Sequence, residues 1–264
     1  MTDQSKMPGV SALVVARNEE EHLPDCLASV AFADEVLVVL DRSTDRSAEI
    51  AKAAGATVIE GAWEIEGERR NLGIDSCRHN WVLEIDADER VTPELAKEVR
   101  ERIVDSQEGY YLVPIRNHIG SREVKFGWGA YNGTNSAIRL FTKGAKIWGF
   151  QRAHPKLTLG TRRGILNNGF IHYVDRDLSD MFDRLNRYST WMAEDAIANG
   201  QSPRLIQAIR RLFSRFFRVY VSRKGYREGH YGLALGYFAA VLPLLIYLKV
   251  REMRSVQAET PPTE

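Results

Sequence analysis

The amino-acid sequence predicts an α/β fold with a mostly parallel central sheet. Short apolar runs alternate with segments of helical periodicity from residue 10 onward, which is the pattern of strands joined by right-handed helical crossovers. Each apolar run also ends in polar residues, and open α/β folds bind ligands at the carboxyl ends of their strands. The predicted strands are Val10–Ala16, Glu35–Leu40, Ala56–Ile59 and the apolar part of Trp81–Arg90.

The helices between these strands are predicted from apolar spacing and from capping residues. An apolar residue recurs every three or four positions in Glu21–Ala31, which indicates the first helix. Polar residues 43–45 offer N-cap oxygens to a second helix that closes at Ala54, with Gly55 just beyond it. A third helix is predicted over Glu66–Cys77.

Asp86 and Asp88 form the most informative motif. Side chains at positions i and i+2 of an extended strand point the same way, so the two carboxylates are expected on one side of a strand end. Two such carboxylates repel each other unless a cation or a positive partner sits between them. The motif therefore predicts a divalent metal site at the ligand-binding edge, with a helix-capping loop as the alternative.

Four segments carry a resemblance to a known family, in the order VVARNEEEHLPDCLASV, VVLDRSTDRSAEIA, GERRNLGI and LEIDADERVTPEL. They resemble the successive signature segments of family 2 glycosyltransferases with a GT-A fold, over residues 10–175. Three later segments resemble the subgroup that adds sugars to lipopolysaccharide core: RLF at Arg139–Phe141, a His-Pro pair at 154–155 and IHY at Ile171–Tyr173. The resemblance implies an inverting transferase with a nucleotide-diphosphate sugar as donor, expected to be a UDP-hexose.

The resemblance also implies roles for residues at the strand ends. It makes Asp88 the direct ligand of Mn²⁺ or Mg²⁺ and places Asp86 against the ribose or a metal-bound water. Asp41 is expected against the uracil or ribose, with capping of the following loop as its alternative role. Further nucleotide contacts are expected from Ala16, Arg17, Glu19, Arg70 and Asn71. For Arg70 the alternative is a solvated surface charge.

The catalytic base is expected in the segment Arg152–Lys156. An inverting transfer needs a group that removes the proton of the acceptor hydroxyl, and a histidine with a pKa of roughly 6.5 can take it. Related core glycosyltransferases often carry a His-Glu pair here, whereas this chain has Pro155 in the glutamate's place. Catalysis is therefore assigned to His154 and Asp86, and positioning of the acceptor is the alternative role of His154.

Three further residues are candidates for the site. His172 lies in an apolar, strand-like stretch and is expected to join the metal or the diphosphate, with a buried structural imidazole as the alternative. Trp128 lies in a glycine-rich run and is available to stack on a sugar face. Arg139, in the Arg-Leu-Phe element, is a binding candidate whose alternative is a structural ion pair.

The character of the chain changes after residue 175. The sequence predicts a catalytic domain over residues 10–175 and a helical extension over 176–254, with a flexible N-terminus (1–9) and a disordered tail (255–264). Within the extension, residues 203–227 carry eight Arg or Lys residues, no Asp or Glu, and an apolar face, which is typical of a helix that binds an anionic membrane surface. Residues 231–248 contain no charge and predict an apolar helix kinked at Pro243. The expected arrangement is a monotopic anchor, and the alternatives are a single span and a buried helix of a soluble protein.

The composition of the chain also predicts the compartment in which the protein lies. The polar N-terminus lacks an apolar signal region, and two thiols, Cys26 and Cys77, fit a reducing environment better than a disulfide. The formal net charge of +1 gives no support for nucleic-acid binding. The chain is therefore expected at the cytoplasmic face of the inner membrane, as a peripheral or monotopic protein.

The sequence thus predicts transfer of a sugar from a nucleotide donor to a lipid-linked glycan, such as a lipopolysaccharide core. A transferase that makes a polyprenyl-phosphate sugar is an alternative, because an attacking phosphate needs no general base. A non-catalytic protein that binds sugar nucleotides or anionic lipids is the alternative from another class.

Overall fold

The computed structural model of the protein describes residues 8–105, 107–128, 134–151 and 156–259. The chain divides into two compact units. The first consists of Met1–Arg116 and Ser136–His172, and the second consists of Asn117–Asn135 and Tyr173–Glu264. The predicted base His154 and its neighbour Pro155 lie outside the described residues.

The strands and helices are numbered in chain order. The strands are β1 (Val10–Ala16), β2 (Glu35–Asp41), β3 (Thr57–Gly61), β4 (Trp81–Asp86), β5 (Glu89–Arg90), β6 (Tyr110–Ile119), β7 (Arg122–Glu123), β8 (Ser136–Thr142), β9 (Lys146–Trp148), β10 (Leu157–Leu159), β11 (Arg162–Ile165) and β12 (Phe170–Asp175). The helices are α1 (Leu23–Ser29), α2 (Ser47–Ala53), α3 (Glu66–Ser76), α4 (Pro93–Asp105), α5 (Leu178–Ala198), α6 (Leu205–Phe216) and α7 (His230–Glu259).

The parallel part of the sheet has the order β3-β2-β1-β4. In β1, Val14 aligns with Val38 of β2 on one side and with Ile85 of β4 on the other. Every residue of β1 is buried, because helices cover both faces of this part of the sheet. Strands covered on both faces need apolar side chains at successive positions, which explains the near-continuous runs of Val, Leu and Ile.

Two apolar clusters cover the two faces of these strands. On one face, Val14 packs with Leu23 of α1 and with Leu95 of α4. On the other face, Leu13 packs with Ile74 of α3. This sandwich of helices around parallel strands confirms the predicted α/β class.

The other half of the sheet is antiparallel. The order continues from β4 through β8, β6 and β12 to β5, and β8 pairs antiparallel with both β4 and β6. β12 pairs antiparallel with β5, which aligns His172 with Glu89. The short strand β5 directly follows the two predicted metal-site aspartates, so this pairing fixes their loop.

The second unit is built from helices and from the segment Asn117–Asn135. Its core contains Ile119, Val124 and Trp128 of that segment, packed with Val219 and with residues of α7 such as Leu235. The buried carboxylate of Glu228 accepts hydrogen bonds from the backbone N–H of Lys125 at 2.8 Å and of Phe126 at 3.0 Å. The sequence analysis assigned residues 117–135 to the catalytic domain, whereas the structure groups them with the helices.

The helical extension also differs from the prediction in its boundaries. The basic segment is an α-helix only over Leu205–Phe216, followed by a π-helical stretch (Phe217–Ser222) and a 3₁₀ turn (Gly225–Glu228). The apolar helix α7 is longer than predicted, runs from His230 to Glu259 and contains Pro243. The predicted disordered tail is therefore helical as far as Glu259, since no Gly or Pro lies between Pro243 and Pro261.

Among the described residues, one helical stretch, His230–Val256, is long and apolar enough to cross a membrane. Nearly half of its most apolar 18-residue stretch is buried inside the protein. α7 packs against both α5 and α6.

Candidate functional site

Three strand ends bring the predicted residues to one edge of the sheet. Asp41 ends β2 and Asp86 ends β4, on either side of Ala16 at the end of β1. The parallel register pairs Ala16 with Leu40 and Val15 with Asp86. The strand-end positions that the sequence analysis selected therefore share one edge of the first unit.

The backbone leaves β1 and β2 in an unusual conformation. Asn18 and Arg42 have φ angles of 54° and 50°, in the left-handed region that non-glycine residues rarely occupy. The Asn18 side-chain oxygen accepts a hydrogen bond from the Thr44 backbone N–H at 2.8 Å, and the Asn18 backbone N–H donates to Ser43 Oγ at 3.1 Å. These bonds fix the two loops to each other and hold the strained Asn18 in place.

Asp41 is buried, and both of its carboxylate oxygens accept hydrogen bonds. Its Oδ2 accepts hydrogen bonds from Arg42 and Arg69, both at 2.9 Å, and its Oδ1 accepts from the Trp63 backbone N–H at 3.1 Å. Burial acts to raise the pKa of Asp41, but the hydrogen bonds from Arg42 and Trp63 and the charge of Arg69 hold it below its ordinary value. The carboxylate is therefore charged and orders the segment that follows β3.

Arg70 lies at the centre of a buried ion network. It donates to Glu66 at 2.8 Å, to the fully buried Glu84 in the middle of β4, and to Asp86 Oδ1 at 3.2 Å. Glu84 also accepts a hydrogen bond from Lys146 Nζ at 2.5 Å. Burial acts to raise the pKa of Glu84, but the charges of Lys146 and Arg70 outweigh it and lower the pKa to about 2. Arg70 is thus a structural ion-pair partner within the sheet edge rather than a solvated surface charge.

Arg139 holds the second oxygen of Asp86. Its guanidinium donates to Asp86 Oδ2 and to Glu89 at 2.8 Å. Burial acts to raise the pKa of Asp86, but the charges of Arg139 and Arg70 hold it far below its ordinary value. Asp86 is therefore an oriented carboxylate that stays charged, although its side chain is 33% exposed.

Glu89 is the buried neighbour of Asp86 and Arg139. It accepts a hydrogen bond from the Asp86 backbone N–H at 2.9 Å and is 1% exposed. Burial raises the pKa of Glu89 to about 7, with the Arg139 charge opposing this rise and the Asp86 charge adding to it. Its bond to the Asp86 backbone supports the turn that carries Asp88.

Asp88 lies in the turn between β4 and β5, beside His172. The imidazole Nε2 of His172 is 3.3 Å from Asp88 Oδ2. Burial acts to lower the pKa of His172, but the hydrogen bond to Asp88 raises it above its ordinary value. Asp88 Oδ1 is buried and has no hydrogen-bond partner among the residues that the structure describes.

The donor set at Asp88 fits a hard divalent cation. Such ions prefer carboxylate oxygens, and a buried carboxylate oxygen without a partner is costly unless a ligand reaches it. Within the described ranges no group of three or more His, Cys, Asp or Glu side chains forms a complete cage. A cation at Asp88 would therefore take further oxygen ligands from a substrate.

Glu19 adds a further carboxylate to this edge. Burial and the charges of Asp88, Asp45 and Asp86 raise the pKa of Glu19 to about 7. A cleft of about 460 Å³ lies beside it, lined by residues 18–22, Thr44 and Asp45. The negative charge around Glu19 makes this edge attractive to a cation. The adjacent Arg17 is exposed at the same strand end.

Two of the predicted contact residues have structural partners. Asn71 donates from its side-chain amide to the Trp148 carbonyl at 2.8 Å and accepts from the Trp148 backbone N–H at 2.9 Å. Trp128 is 5% exposed in the core of the second unit, and its indole N–H donates to the Val124 carbonyl. This burial does not support the predicted stacking of Trp128 on a sugar.

The sequence analysis missed four charged residues of the site: Arg69, Glu84, Glu89 and Lys146. Glu84 carried a usable signal, because a carboxylate inside the apolar run WVLEID needs a buried cationic partner. Lys146 carried no signal in the sequence, since it is 62 residues from Glu84 and only the fold brings the two side chains together.

Comparison with known proteins gives a family match over the N-terminal part of the chain. The model of Glycosyl transferase family 2 matches residues 11–154, which is more than half of the chain. An uncharacterized glycosyltransferase of Rickettsia bellii (strain RML369-C) is 26% identical over 263 residues, covering 92% of this chain and 86% of that protein. The lipopolysaccharide core biosynthesis glycosyltransferase LpsC of Rhizobium meliloti (strain 1021) is 25% identical over 271 residues, covering 96% of this chain and 95% of LpsC.

Two solved structures illustrate the similarity, each over less than half of either chain. Glucosyl-3-phosphoglycerate synthase from Mycobacterium tuberculosis, crystallised with Mn²⁺, UDP and glucosyl-3-phosphoglycerate, has a TM-score of 0.36 and 21% identity, covering 42% of this chain and 44% of that one. S. aureus TarS 1-349 in complex with UDP-GlcNAc has a TM-score of 0.38 and 23% identity, covering 44% of this chain and 37% of that one.

Proposed function

The chain belongs to Glycosyl transferase family 2, and from this premise we propose that it transfers a sugar from a UDP-hexose to a lipid-linked glycan. The observation that carries the proposal is the shared strand edge. The family match covers the edge that carries Asp41, Asp86 and Asp88, and Asp88 Oδ1 accepts no hydrogen bond there from the part of the chain that the structure describes.

A divalent cation, Mn²⁺ or Mg²⁺, is the proposed cofactor. Asp88 and His172 would hold it, with Asp86 beside them. When bound, the cation neutralises the negative charge that develops on the departing diphosphate.

The residues of this chain would position the donor. Arg70 and Arg139 fix the carboxylate of Asp86, so this group needs little reorganisation when a ribose hydroxyl binds to it. Asp41 orders the loop after β3, and Ala16, Arg17 and Glu19 line the end of β1 beside the nucleoside. The role of Asn71 is indirect in this proposal, because it ties α3 to the backbone of β9.

His154 remains the proposed general base. It would take the proton of the acceptor hydroxyl as the hydroxyl oxygen attacks the anomeric carbon and the nucleoside diphosphate leaves. Asp86 would assist by orienting the donor rather than by taking a proton, because the pKa of Asp86 is far below its ordinary value.

A lipopolysaccharide core is the proposed acceptor. The support is the name of LpsC, which aligns with nearly the whole of this chain, including the helical second unit. A polyprenyl phosphate is the second candidate acceptor, favoured by Pro155 at the position of the glutamate in related enzymes. A phosphate acceptor attacks without a general base, so a His154→Ala variant that keeps full activity would favour this second candidate.

Attachment to the cytoplasmic face of the membrane without crossing it is the proposed location. α7 packs against α5, which carries charged residues, and Lys249 of α7 donates to the Asn186 carbonyl at 2.9 Å and to Thr190 Oγ1 at 2.6 Å. A span formed by α7 would bring the charged residues of α5 into the bilayer with it, at considerable cost. The exposed apolar side chains of α6, Ile206 and Phe213, are 72% and 69% exposed and fit insertion into the headgroup region of an anionic bilayer.

The proposal is tested by donor binding to the full-length protein in detergent. Isothermal calorimetry with UDP-, GDP-, CMP- and dTDP-sugars, with and without Mn²⁺, should show metal-dependent binding of UDP-sugars. Asp88→Asn should remove the metal-dependent part, whereas Asp25→Asn, at an 82% exposed side chain of α1, should retain it.

Turnover separates an enzyme from a binding protein. Metal-dependent release of UDP in the presence of acceptor lipid is expected for the parent chain. Binding without any release of UDP would support the non-catalytic alternative, and well-folded protein that binds no sugar nucleotide would refute the proposal.

A further inference from the structure

A second cleft lies among the helices α5, α6 and α7. Its volume is about 210 Å³, and three arginines line it: Arg204, Arg211 and Arg215. All of its lining residues belong to the second unit, so the cleft shares no residue with the candidate site of the first unit. Pockets for drug-sized ligands measure about 300–1,000 Å³, so this cleft is too small for a nucleotide sugar.

The arginines of the cleft do not belong to the apolar face proposed to meet the membrane. Arg204, Arg211 and Arg215 are spaced by seven and four residues, which places them on one face of α6. Ile206 and Phe213 lie on the opposite face by the same helical geometry. The cleft therefore needs an explanation other than general attraction to a bilayer surface.

The charge of the cleft favours an anion. None of the described residues that line it is acidic, and the positive charges of three guanidinium groups at one cleft attract an anion. Guanidinium groups bind phosphate oxygens in pairs of parallel hydrogen bonds, which a lysine cannot do.

The amino end of α6 adds to this preference. The side chain of the cap residue Arg204 forms no capping hydrogen bond within the described ranges, and the first turn contains no acidic residue. Backbone N–H groups and the positive end of the helix dipole thus lie beside the guanidinium groups.

The side of the cleft formed by α5 and α7 is apolar, whereas Gln201 and Gln207 join the arginines on the polar side. Met192 of α5 and Pro243 and Ile246 of α7 form this side. A ligand that contacts both walls must carry a phosphate next to an apolar group, as an amphiphile does.

We infer that this cleft binds the phosphate group of an amphiphile. The inference goes beyond the proposed transfer reaction and does not rest on it. A lipid head group and free phosphate share the chemistry that the arginines recognise, and the apolar wall favours the lipid.

The test is calorimetric titration of the full-length protein in maltoside detergent with three probes: dihexanoyl phosphatidic acid, inorganic phosphate and dihexanoylglycerol. Phosphatidic acid should bind more tightly than inorganic phosphate, and dihexanoylglycerol should not bind. Arg211→Gln should weaken phosphatidic acid binding about tenfold, the effect of one charge-assisted hydrogen bond. Arg211→Lys, which keeps the charge and loses the paired hydrogen bonds, should give an intermediate loss.

The matched control is Arg210→Gln, one residue away on the exposed side of α6. It should bind phosphatidic acid as the parent does, and thermal melts of all variants show that they are folded. Equal binding of inorganic phosphate and phosphatidic acid, lost in Arg211→Gln, would keep the site and assign it to free phosphate. Parental binding in Arg211→Gln, an equal loss in Arg210→Gln, or tight binding of dihexanoylglycerol would overturn the inference.

Discussion

At the scale of single residues, buried ion pairs give the site its shape before any ligand binds. Arg70 and Arg139 each contact Asp86, and both are also tied to a buried glutamate, Glu84 or Glu89. Removing one partner of a buried ion pair leaves an uncompensated charge, which is more costly than never having the pair. The stability of the first unit and the geometry of its candidate site therefore depend on the same residues.

Arg139→Met should destabilise the protein by about 3 kcal/mol, because Asp86 and Glu89 lose their shared cationic partner. Urea unfolding at neutral pH measures this change. The control is Arg100→Met, whose pair with Asp34 is 38% exposed on both sides and should cost less than about 1 kcal/mol. Similar small losses in both variants would contradict the structural role of Arg139.

Glu19→Gln should make the protein more stable at pH 8 than the parent, with little difference at pH 5. The pKa of Glu19 is about 7 in the folded protein against 4.5 in the unfolded chain, so the folded state holds the extra proton between these values. The stability of the parent therefore falls as pH rises from about 4.5 to 7. The variant does not lose this stability, because glutamine does not ionise. After allowance for solvent screening we expect about 1–2 kcal/mol in denaturant titrations.

The opposite dependence of stability on pH is expected for the control residue Glu49. The hydrogen bond from Arg46 lowers the pKa of Glu49, so its contribution to stability is present at high pH and lost as pH falls. Glu49→Gln should therefore show no gain at pH 8. A gain of similar size in both variants would show that general charge, rather than the surroundings of Glu19, sets the effect.

At the scale of elements, the sequence predicted strands better than helix ends. The buried strands β1, β2 and β4 carry unbroken apolar runs that stop at a polar residue, so their ends could be read directly. The end of α6 could not be read from the sequence. Apolar spacing continues through Tyr220, whereas the α-helix changes to a π-helix after Phe216. The segment closes at Lys224, with φ of 58°, and at Gly225, where a Cβ would lie 2.8 Å from the Val219 carbonyl oxygen.

Phe213→Ser should weaken binding of the protein to anionic lipid vesicles about tenfold, since Phe213 is 69% exposed and available for insertion. Sedimentation with vesicles that contain anionic and zwitterionic lipids measures the partition. Ile165→Ser, at a 53% exposed apolar position of β11 in the first unit, is the control and should bind as the parent does. Equal partition of all three proteins would exclude α6 as the membrane-contacting element.

At the scale of the whole molecule, the division into units does not follow the order of the chain. The sequence predicts the boundary between the catalytic domain and the helical extension at residue 175, where the composition changes. The structure assigns residues 117–135 to the second unit, because Val124 and Trp128 pack with Val219 and Leu235. These partners are about 100 positions away, and no local pattern in the sequence indicates such a pairing.

A chain ended at residue 175 should be recovered mainly as insoluble protein. It keeps Val124 and Trp128 but lacks the apolar partners that bury them, and each buried side chain of this kind contributes roughly 1.5–3 kcal/mol. The soluble fraction after expression and the melting temperature by circular dichroism measure the outcome. A chain ended at residue 259 should behave as the full-length protein does, and a soluble, stable 1–175 fragment would contradict this reading of residues 117–135.

The late arrival of these partners has a consequence for how the protein is made. Ribosomes add about 5–20 residues per second, so the roughly 110 positions between Trp128 and Phe238 take about 5 to 20 seconds to synthesise. During that interval an aromatic segment stays open to chaperones and to neighbouring nascent chains. The yield of this protein in a cell is therefore sensitive to the speed of translation between these two positions, independently of how stable the finished molecule is.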